Sequence, residues 1–128
     1  MTPKAKKTIL KEVVKHINIK AIDSTPIIDA MRDMSFTSRD TAAAADILNM
    51  MIREKGCTVF LTLAGSTSAG GCMQVYVDMV RNNMVDAIIA TGASIVDMDF
   101  FEALGFKHYK GTPYADDKIL REYYIDRI

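Results

Sequence analysis

The chain has 128 residues, and its 16 Lys and Arg balance 16 Asp and Glu, so the formal net charge is zero. A balanced charge argues against a nucleic-acid-binding or membrane-surface role, because both kinds of partner usually select a basic patch. The length fits one domain, or part of one, with a real hydrophobic core. Two cysteines and no secretory hydrophobic segment predict a reduced, cytoplasmic setting.

The first part of the chain has the pattern of helices. Apolar residues at helical spacing with lysines between them predict a surface helix over residues 4–16. A second helix is predicted over 26–34, and a third over 41–55 that Gly56 ends. We therefore predict a helical segment over residues 1–55 and the start of a different domain at residue 56.

From residue 56 short apolar strands alternate with helices. The predicted strands, 58–63 and 85–90, are each followed by a loop of small residues, 64–71 and 91–94, and a crossover helix over 71–82 joins the two units. A right-handed crossover makes the strands parallel, so both loops open at the same edge. The predicted class is α/β, with a Rossmann-like parallel sheet and flanking helices.

The two small-residue loops are the best functional lead in the sequence. Such loops let a ligand approach the backbone, and the amides that open the next helix favour an anion. No lysine follows the first loop as a P-loop requires, and residues 65–71 do not spell GxGxxG. Tight turns also select small residues without any ligand. Two loops in succession, with Asp97 behind the second, leave a nucleotide or dinucleotide site and purely structural turns both open.

Farther along, a helix is predicted to begin at Asp97 and end at Gly105, with another over residues 116–128. Asp97 and Asp99 would then fall in a first turn, where helix capping is the alternative to ligand binding. His16 and His108 are far apart in sequence and have no Cys or carboxylate at metal spacing, so no metal site is predicted. His108 is expected to be an ordinary exposed or interface residue.

Four runs carry a resemblance to a known family: FLTLAGSTSAGG, RNNMVDAIIATGASIVDMD, FEALGFKHYKG and ILREYYIDRI. From about Ser35 onward the chain resembles the amino-terminal part of the deoxyhypusine synthase family, including its bacterial and archaeal synthase-like members. The resemblance implies that residues 56–128 are the first part of a Rossmann-like NAD-binding domain. It also implies an NAD-dependent transfer of the aminobutyl group of spermidine to a lysine of a translation factor or, in related enzymes, to a free polyamine.

The resemblance also assigns site residues. An acidic pair that contacts polyamine and cofactor in the family falls on Val96 and Asp97, and a carboxylate there would pair with the amines of a polycation. Because Val96 is not acidic, the choice of acceptor stays open. The positions that correspond to the family's two NAD loops are Gly65, Ser66, Thr67, Ser68 and Ala69, then Thr91, Gly92 and Ala93.

The family's imine-forming lysine lies in a tryptophan-containing motif farther along, and this chain has no tryptophan. We therefore expect no catalytic residue here, and an amino-terminal fragment of a longer enzyme or one piece of a split one. The leading function is a deoxyhypusine-synthase-like transferase. The alternatives are a homospermidine-type polyamine synthase of the same fold and a non-catalytic oligomerisation or binding module. The resemblance implies a homotetramer with sites between subunits, and neither a nucleic acid nor a membrane is expected as partner.

Overall fold

A computed structural model describes the backbone of residues 3–128 and the side chains from Lys6 onward. Two strands and six helices follow one another in the described residues, besides two short helical turns at Ile19–Ala21 and Ser68–Cys72. We label the uninterrupted helical run 92–103 α5; it consists of the segments Gly92–Ser94, Ile95–Phe100 and Phe101–Ala103. The other elements are α1 (Pro3–Ile9), α2 (Thr25–Met31), α3 (Phe36–Arg53), β1 (Phe60–Leu63), α4 (Met73–Arg81), β2 (Ala87–Ala90) and α6 (Asp117–Glu122).

The two strands form a parallel pair. Phe60 is opposite Ala87 and Leu63 is opposite Ala90, and α4 lies between the strands in the chain, as the predicted crossover requires. The carboxylate of Asp86 accepts a hydrogen bond from the amide of Val59 at 2.7 Å, just ahead of the paired residues. A mixed α/β chain with a parallel sheet and flanking helices is thus confirmed, whereas its Rossmann-like character stays a prediction.

The predicted amino-terminal helix over residues 4–16 is wrong beyond its first part. Helix α1 ends at Ile9, and Val13 instead forms an antiparallel bridge with Tyr109. The amide of Val14 donates to the carbonyl of His108 at 2.9 Å. The β-branched pair Val13-Val14 suits an extended backbone, and the bridge adds a second backbone hydrogen bond, from the amide of Lys110 to the carbonyl of Glu12 at 2.8 Å.

Several other helix limits differ from the sequence prediction, and helix α2 ends at Met31 rather than at residue 34. Helix α3 begins at Phe36, ahead of the predicted residue 41, and Phe36 has a positive φ of 57°. Helix α6 ends at Glu122, because Tyr124 takes a φ of 53° and leaves the helical path. The amino end of α6 is capped by Asp116, whose carboxylate accepts from the amide of Lys118 at 2.8 Å.

The described residues group into two compact units. The sheet unit comprises 17–63 and 74–90, and the loop unit comprises 64–73, 91–128 and the described part of 1–16. The predicted division at residue 56 remains a prediction. No helix in residues 3–128 combines the length and the apolar character needed to cross a membrane. The buried hydrophobic residues are Ala42, Val59 and Leu63 in the sheet unit, and Ala69, Met98 and Leu120 in the loop unit.

Candidate functional site

The first small-residue loop turns into a helix sooner than expected. Gly65 has a φ of +73°, and a wide helical turn already begins at Ser68 and continues to Cys72. Within that turn the amide of Gly70 donates to the carbonyl of Ser66 at 2.8 Å. Gly71 has a φ of +112°, a conformation that favours glycine. The loop proper is therefore short, and Ser68 and Ala69 lie in the first helical turn after it.

The second loop is also shorter than predicted, because helix α5 begins at Gly92 rather than at Asp97. Thr91 caps the helix, and its hydroxyl accepts from the amide of Ser94 at 3.4 Å. Asp97 thus lies inside α5 with its side chain exposed, so the first-turn capping interpretation of Asp97 and Asp99 is wrong. A carboxylate that is not used as a cap is available to a ligand.

The two loops contact each other directly. The hydroxyl of Ser94, a residue with no exposed surface, donates to the carbonyl of Gly65 at 3.1 Å. One turn farther along α5, the sulfur of Met98 accepts from the amide of Ala69 at 3.4 Å. These contacts confirm that the loops lie side by side, as the parallel strand order requires.

Most residues assigned from the family resemblance have exposed positions around this contact. Ser68 differs: it has no exposed surface, and its hydroxyl has no hydrogen-bond partner among the described residues. Buried hydroxyls are normally paired, so the Ser68 hydroxyl has an unused capacity for a hydrogen bond. Ala69 is also buried. The exposed residues are Gly65, Ser66, Thr67, Thr91, Gly92, Ala93, Val96 and Asp97, and their binding roles remain predictions.

The sequence does not predict a partly buried cluster that lies outside these positions. His16 Nε2 lies 2.7 Å from Glu102 Oε2, and His108 Nδ1 lies 2.9 Å from Glu102 Oε1. The Glu102 side chain is only 7 % exposed and that of His108 16 %. The prediction that His108 is exposed is therefore wrong, and its alternative, a place at an interface, stays a prediction. No sequence signal joins residues that lie 86 positions apart.

The cluster holds Glu102 in its charged form. Burial alone would raise the pKa of Glu102, but the hydrogen bonds from His108 and His16 outweigh it and lower the pKa below its ordinary value of 4.5. The cluster consists of two imidazoles and one carboxylate, and one nitrogen of each imidazole is hydrogen-bonded to an oxygen of that carboxylate. No group of three or more His, Cys, Asp or Glu side chains in the described part of the chain could hold a metal ion.

A wide cavity of about 1360 Å³ lies in the loop unit. Ser66, Ala69 and Gly70 of the first loop line it, together with apolar side chains of α1, such as Ile9, and of the carboxy-terminal residues, such as Ile125. No residue of the second loop lines it. The cavity therefore adjoins one loop and is not the predicted two-loop site as a whole.

The fold and the adjoining loops define a parallel α/β protein with paired small-residue turns, and comparison with known proteins makes this specific. Residues 26–128 match the family model described as deoxyhypusine synthase. The chain belongs to the deoxyhypusine synthase family, as the resemblance in the sequence predicts.

Individual relatives agree with the family match. The chain is 65 % identical over 123 residues to a deoxyhypusine synthase-like protein of Caulobacter vibrioides, covering 96 % of this chain and 34 % of the relative. It is 62 % identical over 126 residues to a protein of the same description from Coxiella burnetii, covering 98 % and 36 %. A probable deoxyhypusine synthase 2 of Methanosarcina acetivorans is 36 % identical over 112 residues, covering 88 % and 32 %. The chain thus spans about a third of the length of these curated relatives.

Proposed function

We infer that this chain is part of an NAD-dependent, deoxyhypusine-synthase-like transferase that moves the aminobutyl group of spermidine to a lysine of a translation factor. The observation that carries the inference is the contact between two small-residue loops, Ser94 to Gly65, in a chain of this family. A Rossmann-like arrangement of the parallel strands belongs to the same proposal. Because the chain spans about a third of its relatives, the activity is proposed for the whole protein.

The described residues fit a dinucleotide at the two loops. A Cβ atom added at Gly65 or at Gly92 would meet no other atom within 4 Å, so ligand atoms can approach the backbone there. Gly92 opens helix α5, where free amides and the helix dipole favour a phosphate. The unpaired hydroxyl of Ser68 supplies a further polar contact. NAD bound there would accept a hydride from spermidine.

The chain's own part in the reaction is binding and orientation. The exposed carboxylate of Asp97 pairs with a charged amine of the polyamine, and Val96, which is 48 % exposed, offers only apolar contact. The reacting lysine of the family belongs to a tryptophan-containing motif, and this chain has no tryptophan. The nucleophile is therefore supplied outside these residues, in a homo-oligomer whose sites lie between subunits.

Substitution of Gly92 tests the cofactor site. Gly92→Val places a side chain where the fold leaves open space, so it should obstruct a ligand without disturbing the protein. We expect the intact protein to lose at least about tenfold in NAD affinity, roughly 1.4 kcal/mol, measured by calorimetry. Gly111→Val is the matched control, because a Cβ at Gly111 also meets nothing within 4 Å. Equal NAD affinity in both variants would contradict the site.

Substitution of Asp97 tests the polyamine side. Asp97→Asn removes the charge with little change in volume and should lower spermidine-dependent NADH formation by about tenfold or more, since a charge-assisted hydrogen bond is lost. Asp33→Asn makes the same chemical change at an exposed position of the sheet unit, which contains neither loop. An unchanged rate in Asp97→Asn would count against the assignment.

The replacement of an acidic residue by Val96 favours testing a second acceptor. The intact protein should be offered a translation-factor lysine and, separately, putrescine. Transfer to putrescine alone would favour a homospermidine-type synthase over the leading proposal. Stable oligomers without any NAD response would favour a non-catalytic module.

A further inference from the structure

One face of helix α5 makes successive contacts at intervals of four residues. Ser94, Met98 and Glu102 are spaced so that their side chains lie on the same side of a helix. All three are largely buried: Ser94 has no exposed surface, Met98 is 2 % exposed, and the Glu102 side chain is 7 % exposed. Buried polar groups need hydrogen-bond partners, so this face of α5 makes specific polar contacts in addition to apolar packing.

The first two residues of this face hold the first loop directly. Ser94 donates to the carbonyl of Gly65, and Met98 accepts from the amide of Ala69. Both bonded loop atoms belong to the backbone. Helix α5 therefore fixes the loop backbone at Gly65 and at Ala69.

On another side the same loop touches the amino-terminal segment. A Cβ atom at Gly71 would lie 3.0 Å from the carbonyl oxygen of Lys15 and 3.8 Å from Cγ1 of Val14. The backbone of residues 14 and 15 therefore lies directly against Gly71. The first loop is enclosed between this segment and helix α5.

Glu102, the third residue of the α5 face, links α5 to the amino-terminal segment. Glu102 accepts from His16, which directly follows Lys15, at 2.7 Å, and from His108 at 2.9 Å. His108 in turn holds the same amino-terminal segment through its carbonyl, which accepts from the amide of Val14. The amino-terminal segment that contacts the loop is thus linked by hydrogen bonds to α5, and α5 is itself hydrogen-bonded to the loop.

We propose that the His16–Glu102–His108 cluster is a positioning device that keeps the first small-residue loop in its ligand-binding conformation. The hydrogen bonds described above join the three side chains to one another and not to a proposed ligand residue, so the cluster acts through residues 14–15 and α5. This inference rests on the proposed function for the identity of the ligand, NAD. The claim that the cluster holds the loop does not need that identity.

The experiment compares variants that remove the cluster's hydrogen bonds with variants that keep them. His16→Ala, His108→Ala and Glu102→Gln each break at least one of the two bonds. His16→Gln and His108→Asn keep a donor near the original position, since the Gln side-chain nitrogen replaces Nε2 and the Asn nitrogen replaces Nδ1. Ala42→Gly serves as a destabilised control, because Ala42 is buried in α3 and belongs to the sheet unit.

Two measurements are made on the intact protein well below its unfolding temperature. The first is NAD affinity together with the KM values for NAD and spermidine, and the second is hydrogen exchange of the backbone amides in residues 64–73. The bond-breaking variants should bind NAD about tenfold more weakly, raise the KM for NAD more than that for spermidine, and exchange faster in the loop. His16→Gln and His108→Asn should restore both properties.

The outcomes separate this inference from the proposed function. If the bond-breaking variants merely unfold at lower temperature, like Ala42→Gly, with unchanged loop exchange and NAD affinity, the cluster is only structural and the inference is overturned. If the unaltered protein does not bind NAD but its loop exchanges faster in the bond-breaking variants, the positioning role is supported and the proposed function fails. Failure of His16→Gln and His108→Asn to restore slow loop exchange would also overturn the inference that the cluster positions the loop.

Discussion

The strands of the sheet unit and one face of helix α5 in the loop unit are buried to very different degrees. In the sheet unit, strand residues that a parallel sheet usually buries on both faces remain open: Phe60 is 57 % exposed and Ile89 is 58 % exposed. In the loop unit, Ser94 and Met98 are enclosed and Glu102 has two partners. The difference teaches that the contacts of α5 are completed within the described residues, whereas Phe60 and Ile89 are left uncovered there.

The largest expected contrast concerns apolar side chains in the two units. In the 128-residue chain, Met98→Ala should lower the free energy of unfolding by about 2–5 kcal/mol, because it leaves a cavity around a residue that is 2 % exposed. Ile89→Ala should cost less than about 1 kcal/mol, since Ile89 is already more than half exposed. Urea unfolding of both variants measures the contrast. Equal losses would mean that the strand face is covered in solution.

A second contrast lies within the first loop and compares neighbouring glycines. Gly71→Ala should cost about 2 kcal/mol, because Ala is strained at a φ of +112° and its Cβ would lie 3.0 Å from the carbonyl oxygen of Lys15. Gly70→Ala adds a Cβ that meets nothing within 4 Å and should stabilise the helical turn by up to about 1 kcal/mol. Thermal unfolding of the two variants, followed by circular dichroism, should move in opposite directions. Destabilisation by both would show that the loop is tighter than the described contacts imply.

Two fully buried serines provide a third, smaller contrast. Ser94→Ala removes a bonded hydroxyl and should cost about 1 kcal/mol. Ser68→Ala removes a hydroxyl without a partner and should leave the ligand-free protein unchanged or more stable by about 1 kcal/mol, while weakening NAD binding. Denaturant titrations with and without NAD give both quantities. A loss of ligand-free stability in Ser68→Ala would show that its hydroxyl is paired.

The smallest expected effect is a pH dependence from Glu102. Its folded-state pKa is depressed below the ordinary value of 4.5, so the stability it contributes is fully present above pH 4.5 and is lost as the pH falls through the folded-state pKa. Glu102→Gln should remove this part of the acid dependence. Unfolding free energies measured at several pH values below 5 test it, with Asp33→Asn as an exposed control. Identical acid slopes for the Glu102→Gln variant and the unaltered protein would contradict the assignment.

The sequence predicted the strand and loop order well because the signals are local. β-Branched runs followed by small residues mark each strand and its turn, and both strands lie within the predicted ranges. The helix predicted over residues 4–16 failed because its apolar spacing is equally compatible with an extended segment. Pairing with Tyr109, almost a hundred residues away, decided between them. The predicted start of α5 at Asp97 is wrong because a capping threonine such as Thr91 has the same local sequence pattern as a small-residue loop.

By itself the sequence determined the α/β class and the two adjacent loops, which depend on local patterns of residues. It also determined the family, through the four runs that carry the resemblance. The tertiary structure alone decided that Ser94 bonds to Gly65, that Ser68 is buried without a partner, and that His16 and His108 share Glu102. Most polar side chains can form hydrogen bonds with many different partners, and no periodic pattern in the sequence indicates which partner is used. Their pairing is fixed only when burial removes water as the alternative partner.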